Sequence, residues 1–301
     1  MPYVAPSQGN AQRFLDMAEE AGMNKLRRWA TVSVLFAVSA IAVLPTYCQE
    51  ARTPDVIFVP TEQAVVDEML RMAKVSKGSV VYDLGCGDGR IVITAATHFG
   101  ARGVGIDIDP ERIRESQQNA RAMGVSDRVK FIQGDLFQTD FHEATVVMLY
   151  LSSAVNVRLR PILLRQLKPG TPVVSHDFLM GDWQPDETNS VNGAAILLWI
   201  VPARVAGVWQ WTVNNGAKAD RYELTLRQEF QKVTGTLAVN GKEEALSALR
   251  LAGDRMEFES AQRRFSAQVA DGTMNGLLSE EAHDYAWTAT RSQTAAGDPI
   301  E

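Results

Sequence analysis

The chain has 301 residues, with 30 basic and 36 acidic side chains and a formal net charge of −6. That length points to about two domains, and 46% hydrophobic with 22% charged residues is ordinary globular composition, which excludes a largely disordered or low-complexity chain. A mildly acidic chain carries no electrostatic footprint for nucleic acid, so no nucleic-acid partner is expected.

The first apolar run is Trp29–Leu44, preceded by the basic stretch Lys25–Arg28 and free of charge until Glu50. A basic start, a short apolar core and a small-to-polar exit describe a secretory signal peptide. An uncleaved membrane anchor is the alternative, because Pro45-Thr-Tyr-Cys48 offers no small-x-small cleavage site. Residues 1–50 are therefore expected to be a signal peptide or anchor. The polar segment ahead of Met23 makes an odd leader, which fits translation beginning at Met23. The expected location is exported or membrane-anchored, with a domain on the cytoplasmic face as the alternative, and Arg27-Arg28 would permit a twin-arginine route.

Residues 51–202 read as an α/β domain. Pro54 and Pro60 hold the lead-in extended. Helices are expected over Glu62–Ala73, Arg90–His98, Pro110–Met123 and Val157–Leu167, with Asp109 capping the third and Pro110 in its first turn. Strands are expected at Val80–Leu84, Gly103–Ile106, Val129–Ile132, Thr145–Leu151 and Pro172–Ser175. Such alternation implies a doubly wound, Rossmann-like parallel sheet covered by helices. From 203 to 291 the pattern changes to eight short period-2 runs, from Val208–Val213 to Tyr285–Thr290. Asn240-Gly241, Gly253-Asp254 and Asp271-Gly272 separate some of them, so a small antiparallel barrel or rolled sheet is expected. Trp209 and Trp211, at alternate positions, belong to its core. Residues 292–301 read as a frayed tail.

Chemistry concentrates in Asp83-Leu-Gly-Cys-Gly-Asp-Gly-Arg90, directly after the first strand. Glycines there let the backbone approach a ligand closely. Dinucleotide sites use G-x-G-x-x-G, whereas here Gly85, Gly87 and Gly89 alternate. Asp83, immediately before the turn, would repel a pyrophosphate and suits a cationic group. Asp107, 20 residues after Gly87, ends the second strand where ribose hydroxyls need an acceptor. Asp135 follows the third strand, where an adenine amino group would lie. Cys86 sits inside the turn as a small packed residue, which disfavours a Cys48–Cys86 disulfide. Cys48, Cys86 and the histidines His98, His142, His176 and His283 show no metal-ligand spacing, so no metal is expected.

With these motifs the chain resembles the class I S-adenosylmethionine-dependent methyltransferases over about residues 54–190. More narrowly, Asp55-Val-Ile-Phe-Val-Pro-Thr61, the turn from Tyr82 to Arg90, and Val174-Ser-His-Asp-Phe178 resemble the lysine methyltransferases of mitochondria that modify adenine nucleotide translocase and the ATP synthase c-subunit, with their bacterial relatives. The resemblance implies S-adenosyl-L-methionine as cofactor, held by Thr61, Asp83, Gly85, Cys86, Gly87, Gly89, Asp107 and Asp135, with Phe58–Thr61 folded over it. Those relatives are membrane-associated, which together with the N-terminal apolar segment gives an expectation of membrane association.

The reaction expected is in-line displacement of a methyl group, driven by positioning and desolvation. The residues after the fourth strand, Tyr150–Asn156, and after the fifth, Ser175–Phe178, would line the acceptor. Tyr150, Asn156, His176 and Asp177 are the candidates to touch it. Three functions stay open: a protein-lysine N-methyltransferase, a small-molecule or lipid methyltransferase, or a non-catalytic sensor that binds the cofactor. The exported N-terminus and the β-rich tail depart from the mitochondrial pattern and leave the acceptor open.

Overall fold

A computed structural model describes residues 53–293, except Asn215, Ala217, Asp271 and Ala282. The expected signal peptide or anchor, residues 1–50, lies outside the described residues, as does Cys48. Among the described residues, no helix is long and apolar enough to cross a membrane. Ser292 and Gln293, expected in the tail, instead complete the last strand.

The first half holds four helices, α1 (Gln63–Met72), α2 (Arg90–Phe99), α3 (Pro110–Ala122) and α4 (Ser153–Gln166). Its strands are β1 (Val80–Leu84), β2 (Arg102–Asp107), β3 (Val129–Gln133), β4 (Val146–Leu149), β5 (Pro172–His176), β6 (Glu187–Val191) and β7 (Ala194–Ile200). Every residue of β1 and β4 is buried, as strands covered by helices on both faces require. The sheet order is β3-β2-β1-β4-β5-β7-β6. The first five strands run parallel, and β7 runs antiparallel to both β5 and β6. The order reverses between β1 and β4, so the crevice beyond their carboxyl ends is where a doubly wound sheet binds ligands.

Local signals set the helix starts. Asp109 Oδ1 accepts from the Glu111 N–H at 2.7 Å and Pro110 fills the first turn of α3. Ser152 Oγ accepts from the Val155 N–H at 3.3 Å and starts α4. That cap corrects the expected helix start at Val157: Ser153–Asn156 is helical, and only Tyr150–Ser152 remains as a loop. The β6–β7 hairpin is an addition to the expected elements, turning at Asn192-Gly193.

The second sheet has nine strands: β8 (Gly207–Asn214), β9 (Ala219–Glu229), β10 (Lys232–Val239), β11 (Lys242–Glu244), β12 (Ser247–Ala252), β13 (Arg255–Ser260), β14 (Arg263–Ala270), β15 (Thr273–Glu280) and β16 (His283–Gln293). Neighbours pair antiparallel in the order β11-β10-β9-β8-β16-β15-β14-β13-β12. It is a curled half-barrel, with β11 and β12 as its two edges. Alternate residues point inward, and Trp209, Trp211, Tyr222, Phe258, Phe265 and Trp287 fill the interior. Trp211 stacks on Tyr222 and Trp287 at ring separations of 5.1 and 4.7 Å. Three turns carry the expected glycines.

The two sheets form one compact unit. At their seam the Ala203 N–H donates to the Gly253 carbonyl at 2.8 Å. Gln228 Oε1 accepts from the Val205 N–H at 2.7 Å, and its Nε2 donates to the carbonyls of Ala203 and Phe230 at 2.8 and 2.7 Å. Gly253 stands so near Gly170 that a Cβ on it would come within 2.8 Å of the Gly170 Cα.

Candidate active site

The glycine turn forms the floor of the site. Its Gly85 and Cys86 N–H groups donate to the Ile106 carbonyl at 2.8 and 3.0 Å, tying the turn to β2. Gly87 and Gly89 take φ values of 52° and 80°, which side-chain-bearing residues seldom adopt. A Cβ on Gly87 would come within 2.2 Å of the Phe58 ring, and one on Gly89 within 2.9 Å of Phe131 and Ser116. The third glycine thus packs α2 against α3 and β3, while the second makes room for Phe58.

Two of the three carboxylates sit in contrasting surroundings. Asp83 is 2% exposed at the end of β1. Burial, reinforced by the carboxylates of Asp107 and Asp88, pushes its pKa up to about 8. Asp107 accepts the Gly87 N–H on Oδ2 at 2.8 Å and the Asp109 N–H on Oδ1 at 3.0 Å. Burial raises its pKa and those two bonds oppose the rise. Asp135 Oδ1 accepts the Phe137 N–H at 2.9 Å, so its carboxylate is held by its own turn. Cys86 is a free, buried thiol lying against Gly105. Burial pushes its pKa well above the ordinary value, which leaves it an unreactive packing residue.

Pro54–Thr61 crosses the mouth as an extended strap. Arg112 stacks its guanidinium 4.9 Å from the Phe58 ring centroid, and Arg158 pairs with Asp55 at 3.5 Å. Arg90 Nη1 donates to the Thr61 carbonyl at 2.8 Å. These three arginines were not among the expected site residues. No spacing rule marks them, because these strap contacts join residues far apart in the sequence. Beneath the strap is a cavity of about 340 Å³ lined by Phe58, Thr61, Asp83, Gly85, Cys86, Asp107, Asp135 and Tyr150, among others. Small-molecule sites run from roughly 300 to 1,000 Å³.

The four residues expected on the acceptor side fall in different places. Tyr150 lines the cavity and stacks on His176 with ring centroids 3.8 Å apart. Phe178 extends the stack, 6.0 Å from Tyr150. His176 Nδ1 lies 3.3 Å from Thr61 Oγ1, and its Nε2 lies 3.4 Å from Asp177 Oδ2. Burial lowers the His176 pKa against the pull of Asp177 and Glu62, so the ring is neutral at pH 7. Asp177 is exposed and held in the left-handed region at φ 63°, while its Oδ1 accepts the Ala195 N–H at 2.7 Å. Asn156 is fully buried. Its Nδ2 donates to Ser175 Oγ at 3.3 Å and to the Phe178 carbonyl at 3.0 Å. It braces the loop from below, and neither it nor His176 nor Asp177 lines the cavity.

The chemistry of this donor set fits a ligand that carries a cation, a ribose and a base. A buried carboxylate protonated near neutrality gains from a cationic partner, and the floor has no room for side chains. The family model for the ANTKMT methyltransferase domain matches residues 83–187. A protein-lysine N-methyltransferase of Saccharolobus islandicus (strain REY15A) is 50% identical over 139 residues, which are 46% of this chain and 86% of that protein. The chain belongs to this methyltransferase family. It is an S-adenosylmethionine-dependent enzyme of class I, built on the Rossmann-like sheet. The human lysine N-methyltransferase of the ATP synthase c-subunit is 32% identical over 152 residues; the match spans 50% of this methyltransferase and 64% of the human protein. A crystal structure of an RNA methyltransferase from Salinibacter ruber with S-adenosyl-L-homocysteine is 56% identical, with a TM-score of 0.48, and covers 49% of this chain and 96% of its own. The family model ends at residue 187, ahead of the half-barrel.

Proposed function

We propose that this methyltransferase N-methylates lysine side chains of a protein acceptor. The observation that carries the reading is the stacked face of Tyr150, His176 and Phe178 beside the cavity, with the Asp177 carboxylate at its edge. An amine must arrive as a free base to accept a methyl group, and an apolar aromatic wall lowers an ammonium pKa by denying it water. Asp177 and Glu62 draw the cation in before it loses its proton. His176 ties the aromatic wall to the strap through Thr61. The names of the archaeal and human relatives support a lysine acceptor.

On the cofactor side Asp83 would hold the ammonium of the methionine moiety, Asp107 the ribose hydroxyls and Asp135 the adenine amino group. Gly85, Gly87 and Gly89 give the backbone close approach, Cys86 packs the turn, and Thr61 closes the strap over it. When bound, the cofactor supplies an electrophilic methyl group for in-line displacement. The chain's residues align the acceptor with it and exclude water.

The test is transfer of radiolabelled methyl groups to lysate proteins, followed by mass spectrometry of the modified residue. Methyl-lysine is expected, and Tyr150→Ala and His176→Asn, which remove rings of the wall, should slow its formation more than tenfold. Label found in a lipid or small-molecule extract would move the enzyme to that acceptor class. Cofactor binding without transfer to any acceptor would leave a sensor.

A further inference from the structure

The half-barrel reaches the acceptor side of the site through one turn. Strands β9 and β10 are joined by Phe230-Gln231, where Phe230 takes φ 54°. A bulky side chain is rare in that region. The same sheet also places Ala261 and Glu281 at positive φ in its β13–β14 and β15–β16 turns, so this backbone belongs to its tight turns and Phe230 is the bulkiest residue among these to take it. What sets Phe230 apart is the set of contacts that hold it there.

Beyond the Gln228 bond to its carbonyl, the contacts of that turn run to Trp183, Gln184 and Asp186, and to Arg160, which holds the residues just before them. The Phe230 ring stacks on Trp183 at 5.7 Å with 17° between the planes, and the Arg160 guanidinium lies 5.0 Å from the Phe230 ring centroid. Trp183 Nε1 donates to Gln231 Oε1 at 2.9 Å, and Gln231 Nε2 donates to the Gln184 carbonyl at 2.8 Å. Arg160 in turn donates to the Met180 carbonyl at 2.8 Å and pairs with Asp182. Helix α4 holds the front of the segment through Asn156 and the Phe178 carbonyl. The back of the segment is held by the half-barrel.

We propose that the half-barrel sets the acceptor side of the methyl-transfer site through the β9–β10 turn, with Phe230 and Gln231 as positioning residues for Phe178–Gln184. This rests on the reading that Tyr150, His176 and Phe178 border the acceptor. It assigns the second sheet a part in the reaction that the cofactor site alone does not require.

The experiment uses the full chain with Phe230→Gly, Phe230→Tyr and Gln231→Ala. Glycine relieves the left-handed backbone while deleting the ring, so folding and positioning separate. Three quantities are read: S-adenosyl-L-homocysteine affinity by calorimetry, amide hydrogen exchange, and methyl transfer to poly-L-lysine. For Phe230→Gly and Gln231→Ala, S-adenosyl-L-homocysteine should bind within about twofold of wild type. Exchange in Phe178–Gln184 should rise about tenfold or more while β1 and β4 stay protected. KM for poly-L-lysine should rise about fivefold with a smaller change in kcat, and Phe230→Tyr should restore all three. Unchanged exchange in that segment in both variants overturns the proposal. So does a rise shared equally with β1 and β4, which marks general loosening. If Phe230→Gly fails to bind S-adenosyl-L-homocysteine, Gln231→Ala decides. If wild type methylates no poly-L-lysine, the lysine reading fails while hydrogen exchange still judges the clamp.

Discussion

The two sheets treat polar groups in opposite ways. The parallel sheet drives Asp83 into its interior at the end of β1 and gathers Asp107 and Asp88 close enough to raise its pKa further. The half-barrel fills its interior with Trp, Tyr, Phe and aliphatic side chains and turns most of its charges outward, leaving the Glu244–Arg263 pair partly buried beside Tyr222. One sheet stores an electrostatic cost at a cavity, and the other devotes its residues to packing. Sites where a fold breaks its own local rules are where function is expected, and by that criterion the chemistry belongs to the first sheet alone. The half-barrel enters only through the Phe230 turn, which touches the loop beside the site.

The largest effect should come from the packed sheet. Trp287→Ala removes a ring stacked on Trp211 and bordered by Phe265. It should cost about 3–5 kcal/mol in denaturant unfolding, with cofactor affinity kept at temperatures where the chain stays folded. A small loss would mean the half-barrel interior is looser than its stacking indicates.

Asp83→Ala should weaken S-adenosylmethionine binding about 100-fold by calorimetry, because a charge-assisted contact is lost. The cofactor-free protein should be no less stable, since the buried carboxylate opposes folding above its unfolded pKa. Retained binding together with lost stability would reverse the comparison between the sheets.

The pH dependence follows from the same group. Its folded pKa is about 8 against an ordinary 3.8, so the folded state binds the extra proton across that interval. Its contribution to the stability of the cofactor-free protein therefore falls as pH rises from about 4 to about 8. A cationic ligand prefers the carboxylate, so binding releases a proton below pH 8. Affinity should rise up to about tenfold per pH unit toward 8 and then level off. Calorimetry in buffers of different ionisation enthalpy measures the released proton, and Asp83→Asn should abolish it.

The smallest effect should be Leu277→Ser, on the outer face of β15, within about 0.5 kcal/mol and without change in cofactor binding. A larger change would show that this face is covered in the native protein.

Much of the first sheet was legible because its signals are local. The alternating glycines, the acid before them and the Asp109-Pro110 cap each act within a few residues. The β6–β7 hairpin escaped although Asn192-Gly193 marks its turn. Ala194–Ile200 is an unbroken apolar run, since β7 is buried between two strands, and Glu187–Val191 is an exposed polar edge. Neither shows the alternation that identifies a strand. The start of α4 was displaced because Ser152-Ser-Ala reads as loop until the serine is seen as a cap. Asn156 was expected to touch the acceptor, because it follows the fourth strand, and lies instead under the Phe178 carbonyl. Phe230-Gln231 has no turn-forming composition at all, and its placement depends on a tryptophan 47 positions before it, at Trp183.

The contact of Gly253 with Gly170 has a consequence for how this protein can be taken apart. Where two backbones meet with no side chain between them, neither partner can be replaced by solvent or by a different neighbour without a gap. Cutting the chain at residue 203 would uncover Trp183 on one fragment and Phe230 on the other. The methyltransferase sheet is thus not a detachable cassette carrying an optional extension. Shortened versions for expression should keep residues 53–293 together.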